Sequence, residues 1–174
     1  EFEAGRDTEA AVVKQGYGDI EAAFASAHKV VELELSVGRH SGVPMETRGA
    51  IGRYDAAADM LELHGAAKVP HKNRELLARM LGRSLSSINL YAYHVGGGFG
   101  IRGEIYPEDI LVLVAAMRLG RPVKWIEDRR EHLLAANHAR EIECNVEIAV
   151  TKEGRILALR GHSWADIGAY IRTN

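Results

Sequence analysis

The sequence predicts an α+β fold, with mixed or antiparallel sheets and helices packed against them. Segments of period two and of period 3.6 both occur, and they alternate without the regular strand–helix–strand rhythm of a doubly wound sheet. The last third is strand alone. The 174 residues, 47% hydrophobic and 26% charged, suit one compact domain or two small ones.

The elements follow in order. The chain opens on Glu1 and stops at "DIGAYIRTN" with no capping signal, so it reads as an excerpt of a longer polypeptide. Residues 1–18 are then a leader or linker from the preceding part, and residues 19–174 a partial domain. In "GDIEAAFASAHKV" Asp19 caps a short helix whose Ile20, Ala23, Phe24 and Ala27 share one face. "VVELELSV" alternates Val31, Leu33, Leu35 and Val37 with polar residues, the pattern of a half-buried strand with one wet face. "METRGAIGRYD" and "DMLELHGAA" are two further strands around an acidic turn. Pro70 opens a helix with an apolar stripe of Leu76, Leu77, Met80 and Leu81, and Gly82 ends it. "SSINLYAYHV" returns as a strand and runs into the glycines of "HVGGGFGIRGEIYPED". Pro107, Glu108 and Asp109 start a helix that reaches about Leu119 and stops at Gly120. "PVKWIE" is a short strand, and Asp128 with Glu131 forms a capping box for the helix of "DRREHLLAAN". Two strands, residues 142–150 and "RILALRGHSWAD", close the chain around "TKEG".

Composition excludes several functions. A net charge of -2 with scattered Lys and Arg gives no footprint for nucleic acid or an anionic membrane. The longest apolar run, residues 110–117, is too short to span a bilayer, and no signal-like segment is present. The single cysteine, Cys144, excludes an intrachain disulfide and fits a reducing, cytoplasmic location. It falls on the apolar side of its strand, where a small buried hydrophobe is expected. His40, His64, His71, His94, His132, His138 and His162 form no paired ligand spacing, so no protein-held metal site is expected. Arg129, Arg130, Glu131 and His132 read as the solvated start of a charged helix.

The glycine segment is the chemical signal. Each glycine in ordered structure costs roughly 0.5–1 kcal/mol relative to alanine. Gly96, Gly97, Gly98 and Gly100 together cost about 2–4 kcal/mol, which two or three charged hydrogen bonds to bare backbone amides would offset. An anionic, oxygen-rich ligand is one reading; a hinge or a close crossing of strands is the other. No Gly-Lys-Ser/Thr follows, and the spacing is not that of a dinucleotide fold.

Four motifs in order, "PMETRGAIGRYD", "HVGGGFGIRGEIYPED", "LGRPVKWIEDRREHLLAANHARE" and "GRILALRGHSWADIGAY", resemble the molybdopterin-binding large subunit of the xanthine oxidase family of molybdenum hydroxylases, most of all its aerobic carbon-monoxide dehydrogenase branch. The resemblance makes residues 19–174 a partial molybdopterin-binding domain. It implies that Phe99 and Gly100 contact the pterin through main-chain groups, with Gly97 and Gly98 letting the loop approach. It places Lys68 where the family carries an oxo-contacting glutamine, a departure that exchanges a neutral amide for a strongly hydrated cation. Gly103 stands where purine-oxidising relatives carry a substrate-binding glutamate, with Glu104 one step on. Other catalytic residues are expected outside the chain, and no residue in it is a metal ligand. The stretch from Arg129 would lie near the cofactor-bearing core, with Arg140 helping to position a phosphate.

The resemblance further implies a molybdenum-molybdopterin cofactor in its cytosine dinucleotide form, and iron–sulfur clusters and FAD on partner subunits. It implies a homodimer of heterotrimers, and a small substrate such as carbon monoxide, an aldehyde or a heterocycle. This chain would then be one wall of the cofactor site of an oxidoreductase, inactive alone. The alternative is a non-catalytic binding or assembly domain that keeps the fold without a reactive metal.

Overall fold

Capping and turn residues set the element boundaries. In chain order these are α1 (Ile20–Ala25), β1 (Lys29–Val37), β2 (Gly49–Asp55), β3 (Met60–Gly65), α2 (Pro70–Leu81), β4 (Ile88–Tyr91), α3 (Pro107–Leu119), β5 (Val123–Ile126), α4 (Arg129–Ala135), β6 (Glu141–Val150) and β7 (Ile156–Asp166). Asp19 accepts from the Ala22 amide at 3.0 Å, and Asp128 and Glu131 exchange bonds at 2.8 Å across the start of α4. Gly82 and Gly120 take left-handed conformations after α2 and α3. The α+β expectation holds in a computed structural model that describes residues 10–169. Residues 1–9 of the expected leader, and the end of "DIGAYIRTN" from Tyr170, lie outside the described residues. Residues 10–18 form no helix or strand.

The described chain forms two units, residues 10–40 with 140–169, and Ser41–Ala139. The first is an antiparallel sheet of order β1-β6-β7, with α1 against β7. Arg160 on β7 lies 4.1 Å over the Phe24 ring and pairs with Glu147 across the strands at 2.6 Å. Two expectations are corrected here. β1 is exposed along its whole length, Leu35 by 55%, because α1 packs on the face that carries Arg160 and Glu147 and no described element lies on the side of Val31, Leu33 and Leu35. Cys144 is half-buried on that sheet and donates to Ser163 Oγ at 3.1 Å, so it is not a buried hydrophobe.

The second unit holds a mixed sheet of order β4-β3-β2-β5, in which only the β3–β4 pairing, bridged by α2, is parallel. Ala50, Leu61, Leu63 and Ile88 from one face pack with Leu77 of α2 and with Val112 and Leu113 of α3. A Cβ at Gly52 would stand 2.4 Å from the Val112 carbonyl oxygen, so glycine lets α3 lie directly on β2. On the opposite face His64 stacks on Tyr91 at 4.8 Å. β4 ends at Tyr91, so four irregular residues separate it from the glycines; the expected strand through Val95 is shorter than its pattern.

A buried ion pair closes the sheet at the start of β2. The Arg48 guanidinium bonds Glu127 Oε1 at 2.6 and 2.9 Å, while the Arg48 amide reaches Glu127 Oε2 at 2.9 Å. His132 Nδ1 bonds the same carboxylate at 2.8 Å, and Glu127 and His132 side chains are fully buried. Tyr106 and Trp125 rings flank the guanidinium at 3.8 and 5.4 Å. Burial pushes the Glu127 carboxyl up, but bonds from Arg48 and His132 outweigh it and hold the group below the ordinary glutamate value.

Glu127→Gln leaves buried Arg48 with only the partly exposed Glu108 at 3.2 Å as counter-charge and is expected to cost about 3 kcal/mol, read as a lower denaturation midpoint. The carboxyl is depressed in the fold, so its contribution is complete above the ordinary value of 4.5 and is lost as pH falls through the lower folded value. Unfolding followed from neutral pH into that acid range is expected to be steeper in the native protein than in Glu127→Gln.

Candidate functional site

From that ion pair the chain runs back through residues 41–48 beneath the glycine segment. Arg129, at the start of α4, donates to the Pro44 and Met45 carbonyls at 2.6 and 3.0 Å. Thr47 Oγ1 donates to the Glu127 carbonyl at 2.7 Å. Pro44 is fully buried. The strip is therefore fixed from below by β5 and α4.

The glycine segment hangs from this strip. Glu46 donates its amide to the Gly96 carbonyl at 3.3 Å and accepts the Gly96 amide on Oε2 at 2.7 Å. Arg102, 4% exposed, spans the crossing: its Nη2 reaches the carbonyls of Glu46 at 2.8 Å and Thr47 at 2.7 Å, and its Nε the Gly97 carbonyl at 3.4 Å. A 3-10 turn, Ile101–Gly103, follows, and Tyr106 Oη donates to the Ile101 carbonyl at 3.0 Å. Between Arg48, Arg102, Tyr106 and Asp109 lies a void of about 20 Å³, room for one water. Burial raises the Asp109 carboxyl, with bonds and charges from Tyr106 and Arg48 opposing it.

The four glycines have different reasons. A Cβ on Gly96 would stand 2.5 Å from Glu46 Cβ, and one on Gly97 would stand 3.0 Å from Pro44 Cβ and 2.9 Å from the Phe99 ring. Gly97 and Gly100 have φ of +105° and +91°. Gly98 differs: its φ lies outside the left-handed range and its Cβ would meet only Arg102 side-chain atoms, the nearest at an ordinary 3.6 Å. Nothing among the described residues excludes a side chain there. Phe99 takes φ +48°, strained for a bulky residue, with its side chain 76% exposed. Among the described residues the amides of Gly97, Gly98, Phe99 and Gly100 donate no hydrogen bond. Positive-φ backbone at Gly97, Phe99 and Gly100, together with the free amides, gives a concavity suited to an anionic oxygen.

Lys68 comes to the same place. Its amide donates to the Arg102 carbonyl at 3.0 Å, and its side chain is exposed with no partner among the described residues. Glu104 is held by Asn137 Nδ2 at 2.9 Å. The solvated-helix reading of residues 129–132 is corrected: Arg130 and Glu131 are exposed, but Arg129 holds the strip and His132 is buried on Glu127. Arg140 is exposed. No group of His, Cys, Asp or Glu among the described residues can hold a metal ion. Sequence reasoning missed Glu46, Arg48, Arg102 and Glu127. No local signal marks these two arginines and two glutamates, because their partners lie far apart in the sequence. A concavity of about 860 Å³ lies on the open sheet of the first unit beside Arg160 and Glu147, which neutralise each other.

Gly96→Ala is expected to lower stability by about 1–3 kcal/mol through overpacking on Glu46. Gly98→Ala is expected to be neutral or to add up to about 1 kcal/mol. Thermal unfolding of the two variants, side by side, checks the distinction.

Comparison with known proteins matches the family model "Molybdopterin cofactor-binding domain" to residues 3–174. The 6-hydroxypseudooxynicotine dehydrogenase complex subunit gamma of Paenarthrobacter nicotinovorans is 41% identical, covering 97% of this chain and 21% of that one. The carbon monoxide dehydrogenase large chain of Hydrogenophaga pseudoflava is 35% identical, over 89% of this chain and 20% of that one. Among solved structures, quinoline 2-oxidoreductase from Pseudomonas putida 86 superposes with a TM-score of 0.73 at 39% identity, over 82% of this chain and 18% of that one. The chain thus spans about a fifth of the length of the curated relatives it matches.

Proposed function

The chain belongs to the molybdopterin cofactor-binding domain family, and from that premise we propose that it forms one wall of the cofactor site in the large subunit of a molybdenum hydroxylase-type oxidoreductase. The observation that carries the reading is the run of four amides without partners beside Gly98, a glycine that the protein's own packing does not require.

The residues present fit such a group. Gly97, Gly98, Phe99 and Gly100 would hold its pterin oxygens and nitrogens through main-chain amides, and the bare Gly98 leaves the backbone open to close approach. The strained, exposed Phe99 ring supplies an apolar wall beside those donors. Lys68 adds a cationic donor at the edge of the same turn, set there by its amide bond to Arg102. Bound molybdopterin supplies the two-electron redox centre, and the protein contributes binding, orientation and electrostatics. No residue of this chain acts as the general acid or base in this reading.

Further features belong to the same proposal. The cofactor is the cytosine dinucleotide form. One relative is named as a complex subunit, and another as a large chain. These names support the part of the proposal that makes the full protein one subunit of a heterotrimer with iron–sulfur and FAD subunits, paired as a homodimer, and a cytoplasmic location belongs to the same proposal. No helix among the described residues is long and apolar enough to cross a membrane. The substrate is a small molecule of the classes those relatives' names cover, carbon monoxide or a nitrogen heterocycle, or else an aldehyde. The non-catalytic alternative is not favoured, since the relatives named above are oxidoreductases.

Full-length protein purified with its partner subunits is expected to carry molybdenum by elemental analysis and pterin by fluorescence after oxidation. Gly98→Val is expected to keep the unfolding temperature within a few degrees while pterin content falls at least tenfold. A native protein empty of both would overturn the reading.

A further inference from the structure

We propose that Glu46 and Arg102 are positioning residues for the cofactor: they hold the glycine segment in its receptive shape before the ligand arrives, and touch none of it themselves. The inference rests on the cofactor reading above.

The geometry separates the gripping amides from the clamp. Gly96 is turned inward, with its amide on Glu46 Oε2 at 2.7 Å and its carbonyl accepting the Glu46 amide. The next four amides are the ones without partners. Gly96 lacks a side chain because Glu46 Cβ occupies the space, so the first glycine of the run serves the clamp and not a ligand. Arg102 stands on the far side of the loop and closes the ring. It binds the Gly97 carbonyl, the Glu46 and Thr47 carbonyls, and Glu46 Oε2 at 3.3 Å. The Gly98 carbonyl, between the two anchors, accepts from the Ile101 amide at 2.9 Å.

A five-residue segment with four glycines has unusually high backbone freedom, and ordering it at the moment of binding would weaken binding. The clamp removes that loss in advance. A planar guanidinium suits the task because it can address several carbonyls in fixed directions, which an ammonium on a flexible stem cannot.

The test uses the full-length protein with its partners, reading pterin and molybdenum per protein together with the unfolding temperature. Glu46→Ala is expected to lower pterin content at least tenfold. Glu46→Gln, which keeps an oxygen acceptor for the Gly96 amide, is expected to retain at least half. Leu77→Val, in the core of α2, serves as a control for general destabilisation and is expected to stay loaded. Full pterin content in Glu46→Ala overturns the inference. So does equal loss in Leu77→Val at a matched drop in unfolding temperature, or a Glu46→Gln protein as empty as Glu46→Ala. If Glu46→Ala does not accumulate, Arg102→Lys carries the test: a loss of threefold or more is expected, and unchanged content overturns the proposal. Gly98→Val separates the two readings. If it empties while Glu46→Ala stays full, only the positioning role fails; a native protein empty of pterin and molybdenum overturns the cofactor reading itself.

Discussion

Everything around the glycine segment depends on one buried ion pair. Arg48 and Glu127 join the start of β2 to the end of β5, and the same carboxylate fixes His132 on α4. Two charges withdrawn from water are stable only when their remaining hydrogen-bonding capacity is met, and here the Arg48 amide and the His132 ring meet it on Glu127. Because the pair sits at one end of the 41–48 strip, it fixes the carbonyls that Arg102 then uses. The order of support runs from the sheet to the strip, from the strip to Arg102, and from Arg102 to the loop.

That order explains how a loop so rich in glycine is held in one shape. Gly96 and Gly97 are required by contacts with Glu46, Pro44 and Phe99, and Gly100 by its backbone conformation. Gly98 alone has no internal reason, and Phe99 alone is a bulky residue in a left-handed conformation within the run. A folded chain that keeps both a dispensable glycine and a strained, exposed aromatic ring side by side is disposed toward something outside itself.

The helices and strands were legible in the sequence because their signals are local. Asp19, Asp128, Gly82 and Gly120 sit at boundaries that capping chemistry sets. The glycine segment was legible as an anomaly of composition, and Lys68 only through the resemblance. Arg48 with Glu127 was not legible, since the partners are far apart in the chain and each reads as an ordinary surface charge. His132 was masked in the same way by its charged neighbours. The exposure of β1 was also hidden, because alternation says which side of a strand is apolar and not whether anything covers it.

Arg102 binds its neighbours at main-chain oxygens in three of its four contacts. Main-chain oxygens are present whatever residue occupies the position. Met45, whose carbonyl Arg129 holds in the same way, can therefore drift by mutation with little effect on the support beneath the loop, because its side chain lies almost wholly in solvent. The arginine has no such latitude. In descent, the residue doing the holding should be more constrained than the residues being held.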